Sequence, residues 1–252
     1  MAVALYELEA YLAEVLQPER FKDYCPNGLQ VEGRGQVGKL VSGVTACRGL
    51  LEAAIDHKAD AVLVHHGYFW KGENPRLIGI KRQRIACLLQ HDISLLAYHL
   101  PLDEHPTMGN NAQLAHQLGV RVVGSLGGDD ANSIGMEGVL ATATSGGAFG
   151  QHIARVLGRT PLHIAAEREI MRLAWCTGGG QGFIERAVTL GVDAFISGEA
   201  SEQTVHIARE NNIHFFAAGH HATERYGVQA LGEHLAQVMS LEHLFIDIDN
   251  PV

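Results

Sequence analysis

Three short segments gather imidazole and carboxylate side chains: His65-His66-Gly67, His99-Leu-Pro-Leu-Asp103 and His220-His221-Ala-Thr-Glu224. Imidazole suits zinc, iron, nickel or copper, and carboxylate suits magnesium or manganese as well. The pattern therefore describes a site for borderline to hard divalent ions. Two histidines from the first segment, Asp103, one histidine of the third and Glu224 are too few to saturate two six-coordinate ions. Positions stay open for water or substrate, as a catalytic centre needs. A carboxylate bridging two ions ~3.5–4 Å apart is the usual two-metal arrangement, and it acidifies water toward neutral pH. Glu224 is the bridge candidate.

Spacing limits how these groups can meet. Consecutive strand residues point to opposite faces, so His65 and His66 share a cavity only if the chain turns, which Gly67 permits. His220 and Glu224 are four apart, which is one-face spacing on a helix. His221 and Glu224 also share a face, so spacing does not choose between the two histidines. Asp103 follows a proline in an expected extended loop, where it could equally cap a turn. His99 reads as an orienting partner, a general acid/base beside the metals, or a structural histidine. In Cys176-Thr-Gly-Gly-Gly180, the backbone of Gly178, Gly179 and Gly180 could hold a substrate phosphate, or the glycines could serve a tight turn. Glu199 is a further carboxylate at a strand end.

An internal repeat supplies the elements that position these residues. Leu40–Ala61 aligns without a gap on Leu173–Ala194, matching Gly49 with Gly182, Glu52 with Glu185 and Asp60-Ala61 with Asp193-Ala194. His91–Ala97 resembles Asn211–Ala217, and Tyr11–Leu16 resembles His152–Leu157. Each half reads as an opening helix, a short strand and three strand-helix units. In the first half, Leu5, Leu8, Leu12, Val15 and Leu16 form the apolar stripe of the opening helix. Strands are predicted near 39–45, 60–65 and 93–99, then near 171–176, 192–197 and 213–218. Phe245-Ile-Asp-Ile248 is expected to add a last strand. The glycine-dense region 121–150 reads as a connection between halves, partly loop, with units at 1–125 and 126–252. Alternating strands and helices imply an α/β fold with mixed, mostly parallel sheets. Ligands of such sheets collect at the carboxyl ends of strands, where His65-His66, His99, Glu199 and His220 all fall.

Bulk properties remove other function classes. The chain has 252 residues, 46% of them hydrophobic, enough for a real core. A net charge of -9, with Lys81-Arg82-Gln83-Arg84 as its only basic run, argues against general nucleic-acid binding. No run approaches the ~20 apolar residues of a membrane span. The N-terminal residues lack the basic start of an export signal, which makes the cytoplasm the expected compartment. Four scattered cysteines without a C-x-x-C pair read as reduced thiols. Trp70 and Trp175 read as packing residues.

Val64-His-His-Gly-Tyr-Phe-Trp-Lys71, His99-Leu-Pro-Leu-Asp103, Gly109-Asn-Asn-Ala112, Trp175-Cys-Thr-Gly-Gly-Gly180 and Gly219-His-His-Ala-Thr-Glu-Arg225 closely resemble the Nif-three-like family, also called the GTP cyclohydrolase 1 type 2 homologue family. The likeness is to its short bacterial YbgI-type members and covers nearly the whole chain. The resemblance implies two intertwined, duplicated α/β units around a dinuclear metal site. It implies His65, His66, Asp103, His220 and Glu224 as metal ligands, with His220 rather than His221. It implies two divalent ions per chain (zinc, iron, manganese or magnesium) and a ring-shaped homohexamer. The family name implies hydrolytic opening of a guanine ring. The expected function is thus a metal-dependent hydrolase of a nucleotide or small phosphorylated compound. The alternative is a non-enzymatic metal-handling, regulatory or scaffold protein.

Overall fold

The structure is a computed structural model describing residues 2–127 and 134–252. The chain forms two compact units. One comprises Met1–Leu102 with Gly227–Asp249, the other Asp103–Tyr226 with Asn250–Val252. They are interleaved along the sequence, because the chain returns to the first unit after building the second.

The first unit opens with helix Leu5–Leu16, whose stripe buries Leu5, Leu8, Leu12 and Leu16. Gln17 ends it in the left-handed region, and Pro18 prevents its continuation. The unit's five-stranded sheet runs in the order Glu242–Phe245, Lys39–Thr45, Ala61–His66, Ser94–Ala97, Gly28–Val31. The first four strands are parallel and the last is antiparallel. Val41, Val62, Val64 and Leu95 join one core with Leu50, Leu51 and Ala54 of helix Arg48–Asp56 and with Ile85 and Leu88 of helix Gly79–Gln90.

The second unit has a six-stranded sheet, ordered Arg121–Ser125, Met136–Ser145, Glu169–Cys176, Ala194–Ser197, His214–Ala217, Leu162–Ile164. The three strands from Glu169 onward are parallel, and the flanking pairings are antiparallel. Strand alternation separates two cores. Leu173 and Trp175 pack with Leu114, Phe149 and Ile153. Ala174 and Cys176 pack with Ile184, Ala187 and Ala208. Helices therefore cover both faces of this sheet.

The repeat holds at the level of register. Leu40 pairs with Ala61 in one unit, and its aligned counterpart Leu173 pairs with Ala194 in the other. Asp60 Oδ2 accepts the backbone N–H groups of Gly38 and Lys39, and Asp193 Oδ2 accepts those of Met171 and Arg172. Each aspartate also pairs with an arginine, Arg34 and Arg168 respectively.

Three expectations change. The break expected between 125 and 126 falls inside the second unit, since Leu114, Leu118 and Val120 pack with Phe149 and Trp175. Region 121–150, expected to be a partly looped connection between halves, lies within the second unit and holds strands Arg121–Ser125 and Met136–Ser145 and the start of helix Gly146–Leu157, while 128–133 lie outside the described residues. The last strand is Glu242–Phe245 rather than 245–248, in parallel register with Lys39–Ser42. No helix among the described residues is long and apolar enough to cross a membrane.

Candidate metal centre

The first unit contributes three histidines. His65 and His66 close the strand Ala61–His66, and His99 follows the neighbouring strand Ser94–Ala97. Gly67 lets the chain turn close to its neighbours: a Cβ there would collide with Gln30 and the Ala97 methyl. The His65 and His66 rings consequently lie 4.5 Å apart, and the His99 ring lies 5.0 Å from His65 and 5.8 Å from His66. One ring nitrogen of each falls within 4.8 Å of the other two.

Hydrogen bonds fix the tautomers. His65 Nδ1 lies 3.0 Å from the Tyr98 carbonyl. A carbonyl only accepts, so Nδ1 carries the proton and Nε2 the lone pair that a metal needs. His66 Nδ1 meets Thr45 Oγ1 at 3.2 Å, across the pair that the two residues form between strands. His99 Nδ1 donates to Asp23 Oδ1 at 2.7 Å. Burial works against the Asp23 charge, but hydrogen bonds from His99 and Asn27 prevail and hold its pKa down at about 2.

In the second unit Asp103 is buried. It lies on the short helix Leu100–Glu104 rather than in the expected extended loop. Its Oδ1 accepts from Asn110 Nδ2 at 2.8 Å and from Thr177 Oγ1 at 3.4 Å. Asn111 ties down the same region, donating to the Asp103 carbonyl and accepting from Thr177 N. His220 opens the helix His220–Met239. Its Nδ1 donates to Glu199 Oε1 at 2.7 Å, and its Nε2 stands 3.3 Å from Glu224 Oε2. Burial alone would lower the His220 pKa, but Glu224 and Glu199 outweigh it and raise it to about 9. Burial, with Asp103 and Glu224 nearby, pushes the Cys176 thiol well above its usual range. The rise at His220, made against burial, reports a negative potential suited to a cation.

The glycine loop has a visible geometric task. Gly178 has φ +62°, and a Cβ there would run into Glu224 Oε1 and stand 3.0 Å from His220 Nε2. Its N–H donates to Thr223 Oγ1 at 3.0 Å and its carbonyl accepts from Ser197 Oγ at 3.2 Å. Backbone thus presses directly on the ligand-bearing turn. A Cβ at Gly180 would meet Cys176 Sγ at 2.5 Å.

The sequence-predicted residues therefore fall into two sets, His65, His66 and His99 in one unit and Asp103, His220 and Glu224 in the other. Both sets fit divalent metal by donor chemistry: imidazoles with assigned lone pairs, and carboxylates braced by outer partners. Sequence reasoning missed Asp23 and Tyr98. It named Asn110, Asn111, Thr177 and Thr223 only as parts of motifs.

The family model described as Duf34/NIF3 (NGG1p interacting factor 3) matches residues 3–251. A protein of Pseudomonas aeruginosa, named GTP cyclohydrolase 1 type 2 homolog, is 58% identical over 251 residues, covering 100% of both chains. One of the same name from Vibrio cholerae is 57% identical over 249 residues, covering 98% of each. A solved structure described as "Structural genomics, protein ybgI, unknown function" has a TM-score of 0.95 at 50% identity, covering 99% of this chain and 100% of that one. TTHA1606 from Thermus thermophilus has a TM-score of 0.90 at 30% identity, with the same coverage.

Proposed function

This chain belongs to the Duf34/NIF3 family, and we propose that it is a dinuclear metal-dependent hydrolase of a nucleotide or small phosphorylated compound. His65, His66, Asp103, His220 and Glu224 would hold two divalent ions. The observation that carries the reading is the bracing of the ligands in each unit by outer partners: Tyr98 O on His65, Asn110 and Thr177 on Asp103, Glu199 on His220. Such bracing orients the ligand side chains before an ion arrives and is a hallmark of metal sites. Bound divalent ions would polarise a substrate oxygen and acidify water. The chain's own part is to hold the ions and fix the protons on His65 Nδ1 and His220 Nδ1. The relatives' name, GTP cyclohydrolase 1 type 2 homolog, makes purine nucleotides the first substrates to try. The assembly we expect is a ring-shaped homohexamer, which light scattering would read.

Two measurements test this. Elemental analysis of Glu224→Ala should give at least one ion fewer per chain than the parent, with circular dichroism unchanged; equal metal content would remove Glu224 from the site. A screen of nucleotides and phosphoesters against the metal-loaded protein should find turnover that chelation abolishes. Reversible metal binding with no turnover across the screen would replace the hydrolase reading with metal handling.

A further inference from the structure

We propose that His163 and His214 form an acid-sensitive clasp, which holds the edge strand Leu162–Ile164 on the second unit's sheet at neutral pH and releases it in acid. The inference lies within that unit and is independent of the metal-centre reading.

Hydrogen bonds fix where the protons of the two rings sit. His214 Nε2 lies 2.9 Å from the Arg168 carbonyl, which only accepts, so Nε2 carries a proton. The Ala166 backbone N–H donates to His214 Nδ1 at 3.1 Å, so Nδ1 is bare. His163 Nε2 meets that same Nδ1 at 3.0 Å and must be the donor. His214 is thus neutral, and its one lone pair is shared by two donors. A proton added to Nδ1 would turn the acceptor into a donor facing two N–H groups. Only His163 Nδ1 can take up a proton without breaking one of these bonds.

The clasp sits on a short element. Leu162–Ile164 lies at the edge of the sheet and, among the described residues, pairs only with Phe215–Ala217, in antiparallel register. His163 stacks on Phe216, its partner in that register, at 4.3 Å. The chain then turns back over His214, whose two ring nitrogens hold Ala166 N and Arg168 O, while Glu167 N donates to Asn212 Oδ1 at 2.9 Å. Breaking the bonds at His214 Nδ1 therefore loosens the strand and the turn after it together.

The surroundings disfavour added positive charge. Helix Gly146–Leu157 begins against the pair: a Cβ at Gly146 would come within 2.3 Å of His214 Cε1 and 3.0 Å of His163 Cε1. The positive end of that helix opposes a further proton on the rings. Its titratable side chains, His152 and Arg155, lie more than a turn along, and His152 engages the Leu118 carbonyl. In the turn, the Glu167 side chain is exposed and Arg168 pairs with Asp193. Ile164 packs on the other face of the sheet with Ala208, so helix Glu202–Glu210 and its charges lie across the sheet from His163. Burial, and then the charge of His214, hold the His163 pKa below its ordinary 6.5. A histidine whose folded-state pKa is lowered contributes its stability in full above the unfolded value and loses it as pH falls below. The clasp is closed at neutral pH and weakens below 6.5.

The test is amide hydrogen exchange on the full-length protein at about pH 7.5 and about pH 5, corrected for the intrinsic rates. Protection of Ala166 N and of Leu162–Ile164 should fall at least tenfold relative to Ala194–Ser197, a strand of the same sheet paired on both sides. His163→Gln/His214→Gln keeps a donor and an acceptor at each position but takes up no proton, so its ratio should not change with pH. Imidazole nitrogen shifts at neutral pH should show His214 Nδ1 bare and Nε2 protonated. A pH-independent ratio in the parent, the same acid-induced loss in the double variant, or a protonated His214 Nδ1 at neutral pH would each overturn the inference. The first and third need only the parent protein, so they decide the matter even if the double variant does not fold.

Discussion

Glu199 receives the Nδ1 proton of His220 at 2.7 Å, on the opposite side of the ring from Glu224. The bond keeps Nε2 as the nitrogen for a metal. Glu199→Gln retains the shape but weakens the acceptor. Metal affinity should fall on the order of 10–100-fold, with melting of the metal-free protein little changed. Undiminished affinity by competition titration would assign Glu199 a surface role only.

The same triad predicts a pH dependence. The metal-free fold raises the His220 pKa from 6.5 to about 9. A base with a raised folded-state pKa stabilises the fold fully below its unfolded value and loses that contribution as pH rises through the folded one. Metal-free protein should therefore lose stability between pH 6.5 and 9. Subtracting the profile of His220→Gln should isolate this loss. At neutral pH, metal uptake should also release protons, measurable in weakly buffered solution.

Gly178→Ala tests the backbone that presses on Glu224. The left-handed φ alone costs a non-glycine residue about 1–3 kcal/mol, and the new methyl displaces Glu224. Both the melting temperature and the metal content should drop. Gly147, where a Cβ meets nothing within 4 Å, is the control: alanine there should change neither.

Asp193→Ala should destabilise without touching the metal. It strips the acceptor from Met171 N and Arg172 N and leaves Arg168 without its partner. Hydrogen bonds to a charged acceptor make the expected cost about 2–4 kcal/mol, readable by urea unfolding. Asp60→Ala should behave alike in its own unit. Loss of metal binding in a folded Asp193→Ala would contradict this division of labour.

The gapless alignment of Leu40–Ala61 on Leu173–Ala194 carried the register of both sheets, because matched residues must pair alike to bury the same face. The histidines were legible for a related reason: parallel strands present their carboxyl ends together. The glycines of 121–150 misled. Gly138 is glycine because a Cβ would meet Val120 Cγ1 at 2.6 Å and Trp175 at 3.0 Å, a crowding inside a strand rather than a turn. Asp23 was illegible because its partners His99 and Leu100 are distant in sequence. Tyr98 acts through its carbonyl, which no side chain advertises.

The interleaved chain path sets the order in which the protein can finish folding as it is synthesised. Residues 103–226 emerge from the ribosome before Gly227–Asp249, which the first unit needs. Although residues 1–102 are made first, their sheet waits for Glu242–Phe245 to pair alongside Lys39–Ser42. Until then Val41 and its neighbours border an unfilled sheet edge, the kind of surface chaperones shield during translation. The earliest-made half thus depends for its completion on residues made more than a hundred positions later.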